Sequence, residues 1–282
     1  MTELLQYAFF RNALLAGLLT AIACGTVGTY IVSRRLVFIG GGITHASFGG
    51  LGLGFYLGIN PVLTAMLFSI LSALGVEWIS RSKQVREDSA IAAVWSLGMA
   101  LGVLFIFLTP GYAPNLSAYL FGNILTVSSA DLYGMASLVA ALGLTFFFLC
   151  KEIVYIAFDR EFAHTQHLPV RWIERMMMIF TAITIVLSIR LAGIMLLMSM
   201  LTLPQMIINL YTSNFGKILW GSIAIGFLAC LAGLTLSYYL DVPSGAFIIL
   251  VLVATFLAAK AFRHIRISRK IPKGQRRHFQ TP

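Results

Sequence analysis

Charged residues are scarce in this sequence. Only 11% of its 282 residues are Asp, Glu, Lys or Arg, whereas 59% are hydrophobic. A soluble domain carries about a quarter charged residues, so this chain lacks the polar material needed to cover a surface in water. The composition therefore excludes a soluble globular protein and predicts an all-α integral membrane protein.

Several motifs of enzyme chemistry are also missing. Gly216 and Lys217 are followed by Ile218, so the sequence has no phosphate-binding G-x-x-x-x-G-K-[ST] loop, and it has no H-E-x-x-H, G-x-S-x-G or C-x-x-C motif. Its three cysteines are an odd number and suggest neither a disulfide framework nor a metal cluster. Enzyme sites usually need several convergent titratable groups. We therefore expect no catalytic residue and no cofactor in this chain.

Long apolar runs dominate what is present. A membrane-spanning helix needs about 20 mostly apolar residues, and the sequence predicts a polytopic bundle of about nine such helices. Two of them are separated only by the stretch from Arg190 to Gly193, and merging them would give eight. A shorter piece, 116–125, is predicted to be a partly inserted or surface helix. The predicted spans are approximately 12–32, 37–57, 61–79, 89–108, 131–150, 174–190, 192–211, 217–239 and 244–262.

Basic residues fix the predicted orientation, because cytoplasmic loops are rich in Lys and Arg. Every second loop between the predicted spans carries these residues, which places the N-terminus outside and the C-terminus inside. Arg190 is the one basic residue that disagrees, because it is placed near the outer side. We expect one transmembrane domain over 1–265 and a basic cytoplasmic tail over 266–282. The tail directly follows an apolar run, which favours anionic headgroups of the lipid bilayer over nucleic acid as its partner.

The longest cytoplasmic loop, about 151–175, is predicted to contain a short helix. Asp159 can cap a helix that begins near Arg160, with Glu161 in its first turn and Pro169 ending it. The apolar side of this helix is formed by Phe158, Phe162 and Ala163. Two interpretations remain open: a docking surface for a partner protein, or a helix that lies on lipid headgroups.

The stretch FIGGGITHASFGG, residues 38–50, places an imidazole among glycines. Counted from the inner end of its helix, His45 lies roughly 12 Å deep, close to mid-membrane. An ionisable residue there should face protein or a water-filled cavity. His45 is either a neutral packing residue bonded to a neighbouring carbonyl or a transient ion contact on a transport path. In the second case Thr44 and Ser47 are its polar neighbours.

Six blocks of the sequence, in one order, carry a resemblance to a known family. The chain is similar to the permease subunits of bacterial ABC importers for zinc, manganese and iron. The resemblance implies a multi-pass protein of the bacterial inner membrane that pairs with a second permease copy as a homodimer. It also implies a cytoplasmic ABC ATPase dimer that hydrolyses ATP, and an extracytoplasmic metal-binding protein that delivers a divalent metal ion. The blocks are RRLVFIGGGITHASFGGLGLG, REDSAIAAVWSLGMALGV, LSAYLFGNILTVS, AFDREFA, AGIMLLMSMLTLP and LDVPSGAFIIL.

The resemblance assigns roles to particular residues. The block AFDREFA looks like the family's coupling helix, which implies ATPase contacts for Phe158, Asp159, Glu161, Phe162 and Ala163. His45 is the expected metal contact.

The chain departs from the family pattern at two positions. Gly41 replaces an Asp, and His167 replaces a Gly. A site with an imidazole and no carboxylate favours zinc over manganese as the transported ion. An ABC permease for a metal chelate or another small nutrient is the alternative, ahead of an ATP-independent channel or carrier. A carrier usually keeps ionisable residues within its spans.

Overall fold

The computed structural model describes residues 7–80, 85–110 and 127–270, and within these ranges the chain forms ten helices and no strand. The predicted helix at 116–125 and the last part of the basic tail, 271–282, lie outside the described residues. The helices are α1 (Ala8–Ser33), α2 (Val37–Leu57), α3 (Pro61–Ser80), α4 (Glu87–Leu108), α5 (Ser129–Phe158), α6 (Arg160–Thr165), α7 (Val170–Met200), α8 (Leu203–Asn209), α9 (Phe215–Leu240) and α10 (Ser244–Lys270).

Seven helical stretches in the described ranges are long and apolar enough to cross a membrane, so the predicted count of about nine is not confirmed. The helix α2 spans the predicted range 37–57 but is not among the seven, because its seven glycines and its polar residues lower its mean hydropathy. The predicted span 174–190 and nearly all of 192–211 fall within one stretch, Val170–Asn209.

The stretch Val170–Asn209 turns back on itself. Arg190 pairs with Asp131 in the first turn of α5, whereas Asn209 shares a groove with Phe158 at the other end of α5. The break in α7 lies at Gly193, whose φ of 76° and ψ of 166° are reached readily only by glycine. Pro204 lies in the first turn of α8, after α7 has ended, as its missing N–H requires.

The centre of the bundle is built from α1 and from α7, which are mostly buried. Small residues allow α2 and α4 to approach closely, as is usual where helices pack within a membrane. A Cβ added at Gly98 of α4 would lie 2.5 Å from the Cα of Ala46 in α2. The two backbones are therefore in contact. This contact fixes the rotation of α2 about its axis and so the direction in which its His45 face points.

The one discordant basic residue of the orientation argument has a partner. Arg190 forms an ion pair with Asp131 at 3.1 Å. Asp131 also completes a capping box with Ser128 at the start of α5. The charge of Arg190 is therefore compensated at the end of the bundle where α5 begins, which the alternation of basic loops predicts to be the outer end.

Candidate transport path and coupling surface

His45 lies on α2 beside Trp95 of α4. The two rings stack with centroids 4.4 Å apart and planes 2° from parallel. The Nδ1 atom of His45 is buried and has no hydrogen-bond partner. The side chain as a whole is partly exposed, as is that of Trp95. The packing role would require a hydrogen bond between the imidazole and a neighbouring carbonyl. Nδ1 makes no such bond, so the imidazole keeps a nitrogen with no partner.

Thr44 and Ser47 do not share the face of His45. Both hydroxyls donate to carbonyls of their own helix, Thr44 to Gly40 and Ser47 to Thr44, each at 2.6 Å. Both residues are fully buried. At 100° per residue, Ser47 projects from the side of α2 roughly opposite His45. Their predicted role as polar neighbours on the path is not supported by contacts in this conformation and stays a prediction.

Position 41, one turn before His45, faces Met198 of α7. A Cβ added at Gly41 would lie 3.1 Å from the Cε of Met198, and the hydroxyl of Thr44 lies 3.9 Å from the Met198 sulfur. A Cβ at position 41 would therefore be in tight contact with Met198, whose methyl group would have to shift by a few tenths of an ångström. His45 is the one partly exposed residue of α2 between Ile39 and Gly52, and Trp95 stacks on its ring.

The predicted short cytoplasmic helix is present as α6 and begins where the sequence places it. Asp159 is its N-cap, and the carboxylate accepts a hydrogen bond from the backbone N–H of Phe162 at 2.9 Å. Ala163 is fully buried in an apolar cluster with Ile153 and Ile173. In this conformation Ala163 anchors α6 to the bundle and offers no exposed surface to a partner.

The end of α6 differs from the prediction that Pro169 terminates it. The helix ends at Thr165, and His167 adopts the left-handed conformation with φ of 56°. The N–H groups of His167 and Leu168 donate to the carbonyls of His164 and Ala163, which is the Schellman arrangement. Position 167 thus takes a conformation that suits glycine, whereas Pro169 is the N-cap of α7.

The exposed surface of α6 is aromatic and acidic. Phe158 and Phe162 are about half exposed, and Asp159 and Glu161 are exposed beside them. Phe162 rests edge-on against Tyr155, with ring centroids 5.7 Å apart. A groove of about 520 Å³ runs between this segment and the end of α1. Four of the five predicted coupling residues are therefore accessible, and we call them the coupling surface: Phe158, Asp159, Glu161 and Phe162.

An ion-pair cluster behind the coupling surface was not predicted from the sequence. Glu174 of α7 is buried and bonds Arg34 at 2.9 Å through one oxygen and Arg160 at 3.0 Å through the other. A cavity of about 130 Å³ borders this cluster and is also lined by Glu77 and Glu87. The position of Glu174 could have predicted this cluster, because a carboxylate at the inner edge of an apolar run needs a cationic partner.

Comparison with known proteins places the whole chain in one family. The model of the ABC 3 transport family matches residues 6–263. A probable iron transport system membrane protein of Haemophilus influenzae is 33% identical, covering 95% of this chain and 98% of the relative. The manganese transport system membrane protein MntC of Halalkalibacterium halodurans is 31% identical, covering 92% and 88%. The solved structure of PsaBC from Streptococcus pneumoniae in complex with Fab superposes with a TM-score of 0.81 at 28% identity, covering 92% of this chain and 93% of that one.

Proposed function

Because the chain belongs to the ABC 3 transport family, we propose that it is the transmembrane permease of an ATP-driven importer for divalent transition metal ions. The observation that carries this proposal is the likeness, over nearly the full length, to membrane proteins named for iron and manganese transport. Since these relatives are named as membrane proteins of transport systems, we assign ATP hydrolysis to a separate cytoplasmic chain. The multi-pass helical fold supports a location in the inner membrane.

The proposed ion contact on the path is His45. Neutral imidazole is a ligand for zinc and iron, whereas manganese prefers carboxylate oxygens. His45 has an unpartnered buried nitrogen, and the neighbouring position 41 carries no carboxylate. A permease must release its cargo, so a single weak ligand suits its task better than a closed coordination shell. We therefore expect iron(II) or zinc to pass more readily than manganese.

The proposed partners follow from the two ends of the molecule. The coupling surface projects into the cytoplasm and suits docking into a cleft of an ABC ATPase dimer, with Phe158 and Phe162 as apolar anchors. A second permease copy would close the path, and an extracytoplasmic metal-binding protein would deliver the ion. Ala163 supports this interface from behind, because its buried methyl group fixes α6 on the bundle.

Uptake by vesicles tests this function. The permease is reconstituted with its ATPase and binding protein, and accumulation of iron(II), zinc and manganese is measured with and without ATP. We expect accumulation that requires ATP. Equal uptake without ATP would instead support a channel or carrier, and uptake of a chelate without uptake of the free ions would support the alternative cargo.

His45→Gln tests the ion contact within the same assay. Glutamine keeps polarity and approximate size but binds transition metals poorly. We expect uptake to fall about tenfold, since even a weak contact that lowers the barrier to transport by about 1.4 kcal/mol changes the rate about tenfold. His264→Gln is the matched control, because His264 is exposed near the cytoplasmic end of α10. Near-normal uptake by a well-folded His45→Gln variant would leave His45 as a packing residue.

A further inference from the structure

The coupling helix α6 is tied to the membrane bundle by one buried carboxylate. Both oxygens of Glu174 are occupied, one by Arg34 at the end of α1 and the other by Arg160, the first residue of α6. Arg34 also donates to the carbonyl of Ile156 at 3.3 Å, near the end of α5. We call the set Arg34, Glu174 and Arg160 the Glu174 bridge, since it joins α1, α5, α6 and α7 at one point.

The two halves of the bridge are unequal. The side chain of Arg34 is 17% exposed and that of Glu174 is 7% exposed, whereas that of Arg160 is 45% exposed. Removing one partner of a buried pair is strongly destabilising, because it leaves an uncompensated buried charge, whereas an exposed pair contributes little to stability. The contact of Glu174 with Arg34 is therefore the permanent half, and the contact with Arg160 is the half that can open.

Few other contacts hold α6 in place. A helix of six residues is not stable by itself in water, because its nucleation is not repaid over so short a length. Its packing into the bundle rests on the buried methyl group of Ala163 and on the edge-on contact of Phe162 with Tyr155. The Arg160 end of α6 is held by Glu174, and the cavity of about 130 Å³ beside the bridge leaves room for these side chains to move.

We infer that Glu174 is a positioning residue that transmits movement of α6 to α1 and α7. The inference rests on the proposed docking of an ATPase at the coupling surface. When α6 moves, Arg160 moves with it and displaces the carboxylate of Glu174. Because Arg34 bonds the same carboxylate, the end of α1 moves as well. Without the bridge, α6 can move with the ATPase while the membrane helices stay behind.

The test measures transported ions per ATP hydrolysed in the reconstituted complex. Arg160→Gln removes the exposed half of the bridge and should leave folding intact, because Arg160 is half exposed. Glu174→Gln removes the charge at the centre. We expect each to lower the ratio of ions to ATP by about fivefold or more, the lower end of the coupling between linked sites. The double variant should match the single variants, because residues that act as one unit are not additive.

Arg175→Gln is the matched control. Arg175 is the neighbour of Glu174 on α7, its side chain is 52% exposed, and it pairs with Glu77 and not with α6. We expect its ratio of ions to ATP to equal that of the wild type. Glu174→Asp keeps the charge and should recover part of the ratio that Glu174→Gln loses.

Separate readouts distinguish the inference from the function on which it rests. Absence of ATP-dependent accumulation by the wild type would overturn the proposed function and the inference with it. With an active wild type, an unchanged ratio for Arg160→Gln would overturn the inference alone. Losses that multiply in the double variant, or that fall equally on transport and hydrolysis, would also overturn it, because such losses indicate a purely structural role.

Discussion

Truncation of Phe162 should weaken binding of the ATPase at the coupling surface. Phe162 is 45% exposed; taking about 200 Å² for a phenylalanine side chain, the exposed part is about 90 Å². At about 25 cal/mol per Å², burial of that area in an interface contributes about 2 kcal/mol, or about thirtyfold in Kd. The entropy lost on association is common to variant and wild type and cancels in the comparison.

The assay is the Kd of the purified ATPase for the permease in lipid nanodiscs, with Phe162→Ala compared against the wild type. Phe147→Ala is the matched control, because Phe147 is also an exposed phenylalanine but lies within the membrane-spanning part of α5. We expect the control to bind normally. Wild-type affinity of a folded Phe162→Ala variant would refute the docking role, and equal weakening by both variants would point to a general loss of structure.

Three further predictions concern the fold. His167→Gly should stabilise the protein by about 1 kcal/mol, because His167 holds the left-handed conformation; a thermal melt in detergent measures this, and a lower midpoint would contradict it. Gly98→Val should lower the free energy of unfolding by about 1 to 3 kcal/mol, because the added side chain forces α2 and α4 apart; the yield of folded protein checks this. Gly143→Ala is the control and should leave that yield unchanged, because an added Cβ at Gly143 meets nothing within 4 Å. Cysteine at Asn60 should react with an impermeant reagent added outside intact cells, and cysteine at Gln166 should not; the reverse pattern would overturn the orientation.

The apolar composition and its periodic interruption by basic loops determined that this is a helical, multi-pass membrane protein. Within the described ranges the helices α1 to α4 begin and end near the predicted positions, since these limits follow from local chain chemistry, whereas α5 continues to Phe158, beyond its predicted end at 150. The cap of α6 at Asp159 is of the same kind, because an N-cap is a contact between residues three apart. The six sequence blocks also predicted the family, which the match over residues 6–263 confirms.

Local chemistry was a poor guide where the chain changes direction. The end of α6 was wrongly assigned to Pro169, because a histidine in the left-handed conformation leaves no signal in its residue type. The reversal at Gly193 lies between two of the predicted spans, but a merged single span was left open, since many glycines in this chain serve only to allow close packing. Hydropathy alone therefore cannot fix the number of passes.

The partners of the charged residues were decided by the tertiary structure alone. Glu174 and Arg34 are separated by 140 positions, and Arg190 and Asp131 come from different helices. Sequence predicts that a carboxylate at the edge of the membrane needs a cation, because an unpaired charge there is costly. Which cation reaches it depends on how the helices pack. The Glu174 bridge exists only because α1 ends, and α6 and α7 begin, at the same corner of the bundle.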